Sequence, residues 1–211
     1  MDSSAHDDVE RPGGPSLIYI YADESCLGNQ FRTRANPGGA AGLLEQFRPR
    51  AGWLRKDFAF YEPDTTNNRM ALWSGILGLS ALRRPEEVVF TSDSQYLVKG
   101  MKEWIHGWAR REWRRKGGAI ENLDLWQRLA RVASRHEIEW RWVRGHAGHP
   151  KNEYVDMLAQ RTAETGEAAE GLVPSGFDEW IQAKIDAGVY VDYLDVPPEE
   201  PFDPDPAPPL P

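Results

Sequence analysis

A single cysteine, Cys26, stands in the 211 residues. That excludes an intramolecular disulfide and a cysteine-based zinc site, and it fits a reducing compartment. No run of 18 apolar residues occurs, so no segment reads as a membrane span. The opening residues, MDSSAHDDVE, lack the apolar stretch of a secretory leader. These absences predict a cytoplasmic protein. Basic residues are scarce at one end: residues 164–211 hold twelve Asp and Glu against Lys184 alone. Residues 1–15 hold four acids and Arg11. The formal charge of −8 therefore conceals a body, 16–163, of +6. A basic body with acidic ends points to a polyanionic partner and to tails that solvate or screen.

What the chain does have is a core and a clear alternation. Nine Trp and 40% apolar residues suffice for one domain with an extension. LIYIYA (17–22), AAGLLEQF (40–47) and GWLRKDFAFY (52–61) read as an antiparallel meander. Residues 65–82 read as a helix, with Leu72, Trp73, Ile76, Leu77 and Leu79 at near-helical spacing and Pro85 beyond its end. EVVFTS (87–92) is a buried-type strand. A helix broken at Gly100 follows, then helix 122–136, the alternating strand EIEWRWVRG (137–145) and helix 152–164. The order predicts an α/β fold, a five-stranded mixed sheet flanked by helices. The expected division is an acidic, disordered segment 1–15, a domain 16–165 and a largely disordered extension 166–211. Residues 197–211 carry eight of the sixteen prolines, which no helix or sheet tolerates. FDEWIQAKIDAG (177–188) could form a short amphipathic helix ahead of them.

Asp23 ends the first strand, Asp93 follows the fourth, and Asp156 lies on the last helix beside the loop GHAGHPKNE. Each alone reads as a turn or capping residue. Brought together they would repel, and a divalent cation removes that cost.

As a set, the motifs carry a resemblance. IYADESCLGN, TTNNRM, TSDSQYLVKGMKEWIHGW, NLDLWQRL and WRWVRGHAGHPKNEYVDMLA resemble the type 1 ribonuclease H family, in order, over residues 17–163. The resemblance implies the ribonuclease H-like fold (βββαβαβα) and endonucleolytic cleavage of the RNA strand of RNA/DNA hybrids by a two-metal-ion mechanism using Mg²⁺; the chain is expected to act as a monomer. It implies Asp23, Asp93 and Asp156 as metal ligands and His146 as a proton-handling group on a loop. It implies Asn29, Asn67 and Gln95 as minor-groove contacts, with Thr66 and Asn67 also suited to a DNA phosphate at a helix start. Residues 99–116 carry seven Lys and Arg, two Glu and three Trp. They resemble the basic protrusion of some members, with Arg110, Arg111, Arg114 and Arg115 as its cations. Trp104 and Trp108, at i and i+4, belong to the core.

Two positions depart from the family pattern. Ala71 stands where the family has its remaining acidic ligand, after NNRM, and Glu24 stands where the family usually has Gly. Glu24 is thus the candidate compensating ligand. Strand alternation argues against it, because neighbours along a strand face opposite sides. A twisted strand end would permit it. The truncated set predicts weakened activity in Mg²⁺ with Mn²⁺ preferred. It also admits the alternative of a catalytically impaired hybrid-binding protein. The tail's partner is not specified by the sequence.

Overall fold

The computed structural model describes residues 17–28, 35–115 and 117–211. The expected N-terminal segment 1–15 and the candidate contact Asn29 lie outside them. Strands β1 (Leu17–Cys26), β2 (Gly38–Arg48), β3 (Gly52–Glu62), β4 (Glu87–Ser92), β5 (Glu137–Trp142) and β6 (Val173–Pro174) form one sheet in the order β5-β4-β1-β2-β3-β6. β1, β2 and β3 are the antiparallel meander, and β4 and β5 join in parallel beside β1. Among the described residues the sheet has six strands rather than five, because the C-terminal extension adds β6 antiparallel to β3.

The meander is made from alternating side chains, and the alternation assigns each face. Ile20, Ala22, Val88 and Phe90 lie in the core beneath α1 (Asn67–Ser80) and α4 (Leu123–Ala133). Tyr19, Tyr21, Leu43 and Val89 lie in a second core beneath α5 (Pro150–Thr165). Gly39 lets α5 approach, since a Cβ there would run into the α5 backbone at Ala159 and Ala163. The break expected at Gly100 is a turn of π-helix, Gly100–Trp104, between α2 (Gln95–Lys99) and α3 (Ile105–Ala109). A Cβ at Gly100 would collide with the fully buried indole of Trp126. Trp104 and Trp108 pack on the same indole, as their spacing suggested.

The expectation that 166–211 is largely disordered is corrected. The amphipathic segment forms α6 (Phe177–Asp186), with Phe177 fully buried and Ile181 nearly so. Several of the acids that read as solvating groups are partners of the basic body. Arg55, itself ion-paired with buried Glu45 at 2.6 Å, also pairs with Asp178 and Asp195. Glu200 meets Arg141 at 2.7 Å and Asp205 meets Lys102 at 3.0 Å. Asp205 also donates to Ile138 O and accepts from Trp140 N on β5. Proline forbids helix and ladder, but it does not forbid an extended strap held by side chains. With β6 at one edge and residues 203–205 at the other, the extension shields both open edges of the sheet.

Candidate active site at the rim of β1 and β4

The site begins where two strands stop matching. β4 pairs with β1 only as far as Ala22 opposite Ser92, while β2 continues beside β1 to Cys26. Asp23 and Glu24 therefore stand on the last part of β1 with an open flank. Asp93, the first residue past β4, stands next to that flank.

The alternation argument against Glu24 holds for the faces, yet the Glu24 side chain still reaches the rim. Asp23 accepts from Asn152 Nδ2 of α5 at 3.3 Å, on one side of the sheet. Glu24 accepts from Asn67 Nδ2 of α1 at 3.2 Å, on the other. Beyond the end of β4 no strand separates the two sides, so the longer Glu side chain and Asp23 meet at the rim. One carboxylate oxygen from each of Asp23, Glu24 and Asp93 lies within 4.8 Å of the others. Asp156 is not part of this trio, but it lines the same cleft, of about 440 Å³, with Asn67, Gln95 and His146. His146 Nδ1 lies 3.6 Å from Asp156 Oδ2, and its side chain is 77% exposed.

The electrostatics is dominated by burial and by repulsion among the carboxylates, which His146 offsets only in part at Asp93. Burial, then the charges of Asp93 and Glu24, pushes Asp23 up to about 9. Burial and Asp93 push Glu24 up to about 8, a cost that Ser94 offsets only in part. Asp93 is raised by burial and by Asp156. Glu24 Oε2 is buried and meets no hydrogen-bond donor among the described residues. An orphaned buried oxygen within an all-oxygen trio fits a hard divalent cation.

Ala71 lies in the core at 0% exposure. It shares a face of α1 with Asn67, one turn earlier, and Asn67 is the residue that holds Glu24. The remaining sequence candidates are spread along the start of α1, the start of α2 and the stretch after α3. Thr66 caps α1 by accepting from Arg69 N at 3.4 Å. Gln95 is exposed at the start of α2, and Arg110, Arg111, Arg114 and Arg115 are exposed beyond α3. Sequence reasoning assigned no role to Asn152, although it lies inside the GHAGHPKNE motif, nor to Gly145. A Cβ at Gly145 would run into Asp93 Oδ2.

The fold and the site together define a class: an α/β protein with a carboxylate-lined cleft, able to hold a divalent cation, at the rim of a mixed sheet. Residues 15–164 match the RNase H family, and the chain belongs to it. Similar relatives are the ribonuclease H of Syntrophotalea carbinolica, 45% identical over 152 residues, covering 72% of this chain and 93% of the relative. That of Thiobacillus denitrificans is 47% identical over 146 residues, covering 69% and 92%. Among solved structures, LC9-RNase H1 is described as a type 1 RNase H with the type 2 active-site motif. It superposes with a TM-score of 0.84 at 46% identity, over 93% of this chain and 95% of that one. The RNase H domain of PFV, at 17% identity and a TM-score of 0.61, shares the fold.

Proposed function

We infer that this chain is a ribonuclease H, an endonuclease hydrolysing the RNA strand of RNA/DNA hybrids. The observation that carries the reading is the Asp23–Glu24–Asp93 trio in a cleft that Asp156 and His146 also line. Asp23, Glu24 and Asp93 would hold the divalent cation, with Asp156 as a further ligand. Bound there, a divalent cation would supply Lewis-acid stabilisation of a phosphoryl oxygen and a lowered pKa for an attacking water. The chain's own groups do the rest. Asn152 and Asn67 fix the carboxylates of Asp23 and Glu24. His146, exposed beside Asp156, carries protons between the cleft and solvent at its imidazole.

Asn67 and Gln95 face a minor groove from the cleft wall, with Asn29 and Thr66 completing contacts to the hybrid. Arg110, Arg111, Arg114 and Arg115 grip the DNA strand through its phosphates, independently of sequence. We further propose a cytoplasmic monomer. Among the described residues no helix is long and apolar enough to cross a membrane.

The expected weakening in Mg²⁺ rested on a missing ligand. Glu24 restores the count to four carboxylates, so we propose Mg²⁺ as the working cation with Mn²⁺ as a substitute. The description of LC9-RNase H1 supports an altered carboxylate set on a type 1 body. The hybrid-binding alternative loses the same ground.

The test is a labelled RNA/DNA hybrid, with single-stranded RNA and duplex DNA as controls. The RNA strand of the hybrid alone should be cut in Mg²⁺, and excess EDTA should abolish cutting. Tight hybrid binding with no cutting in any divalent cation would establish the binding-only alternative.

A further inference from the structure

We propose that Trp142 is a positioning residue for Asp93, acting on the cation site through the Asp93 main chain; the proposal rests on the reading of the site given above. β5 ends at Trp142, opposite Ser92 in register. Its indole Nε1 donates to the carbonyl oxygen of Asp93 at 2.9 Å. Trp140, two residues earlier on the same face, is core, but Trp142 is 46% exposed. Trp142 gains less from burial than Trp140 does, and its position is tied to its polar handle as well as to its apolar surface.

Asp93 needs such a partner. It is the first residue past the last β1–β4 pair, and α2 begins only at Gln95. The preceding residue is well held: Val143 N donates to Ser92 O at 3.1 Å, and Ser94 N to Ser92 Oγ at 3.1 Å. Among the described residues the Asp93–Ser94 peptide has no ladder partner on the β1 side, and the indole fixes its plane. That plane sets the direction of the Asp93 Cα–Cβ bond, and so the position of its carboxylate in the trio. Gly145, two residues after Val143, closes the other side, since any Cβ there would meet Asp93 Oδ2. The run Trp142–Gly145 is thus a wall that aims Asp93 from both its backbone and its carboxylate end.

Trp142→Phe keeps the ring and removes the donor. The experiment measures Mn²⁺ affinity by calorimetry on the full chain without nucleic acid, together with thermal unfolding and cleavage across a Mn²⁺ titration. Positioning predicts a roughly 5–10-fold weaker Mn²⁺ affinity, near the range seen when a partner that orients a metal ligand is lost. Cleavage should fall at low Mn²⁺ and recover at high Mn²⁺, with KM for the hybrid unchanged at saturating metal. Unchanged Mn²⁺ affinity in Trp142→Phe, whatever its melting temperature, overturns the positioning role and leaves the ribonuclease reading standing. A wild-type chain that binds no Mn²⁺ overturns both.

Discussion

A chain ending at Glu170 should melt about 10 °C or more below the full-length protein. The truncation removes Phe177 and Ile181 from the core beneath α5, and burial of a Phe of this kind contributes about 3–5 kcal/mol. It also removes two of the three carboxylates that surround Arg55, whose side chain is only 6% exposed. Buried Glu45 would then share a less neutralised pocket with Arg55 and Lys151, which it meets at 2.6 Å each. In a domain of this size each kcal/mol shifts the melting temperature by about 2–4 °C. Phe177→Ala alone should produce much of the effect. Thermal unfolding of the two variants checks this, and a melting temperature within about 2–3 °C of full length would mean that the extension contributes little.

Asp23→Asn should abolish cleavage, by at least about 10³-fold, the order of magnitude of a lost catalytic carboxylate, and stabilise the metal-free protein. Asp23 and Glu24 titrate far above the ordinary carboxylate range because burial and neighbouring charge disfavour ionisation. Between the unfolded value of about 4 and the folded value, the native state binds more protons than the unfolded state. Stability of the metal-free protein therefore falls as pH rises from about 4 through the region of 8 to 9 where the two groups ionise. A bound divalent cation should flatten that slope. The variant is well accommodated: Asn152 Oδ1 has no partner among the described residues, so an amide flip lets it accept from the new side chain. Melting curves at about pH 5 and pH 8, with EDTA and with Mg²⁺, bracket that fall. At the higher pH the Asp23→Asn substitution should raise the metal-free melting temperature by roughly 2–4 °C, about 1 kcal/mol. A metal-free wild type whose stability rises over that interval would contradict the electrostatic account.

Much of the fold was legible because each strand and helix carries its own period. The three meander strands, the buried run EVVFTS and the apolar stripe of α4 all fall where their patterns placed them. Gly100 marked a break whose cause, the indole of Trp126, lies a helix away and leaves no local signal. The extension was misread because proline and acid content describe a chain in isolation. Its order depends on Arg55, Lys102 and Arg141, far away in sequence. The carboxylates were legible as motifs, but the place of Glu24 was not. Alternation describes a strand with neighbours on both sides, and β1 loses one neighbour after Ala22. Trp142 was legible only as a member of an alternating strand, since its bond is to the main chain of a residue 49 positions away.

The account stands on Glu24 supplying the carboxylate that Ala71 cannot. The direct measurement is single-turnover cleavage of a labelled hybrid across a Mg²⁺ titration for wild type, Glu24→Gln and Ala71→Glu. Glu24→Gln should lose about 10²-fold or more in Mg²⁺, with hybrid binding unchanged, as expected when a cation ligand is removed. Ala71→Glu should bring no gain, because it forces a carboxylate into a fully buried core position on the face of α1 that already serves Glu24. Full activity in Glu24→Gln together with a gain in Ala71→Glu would contradict the account and show a truncated site in which Glu24 is a bystander.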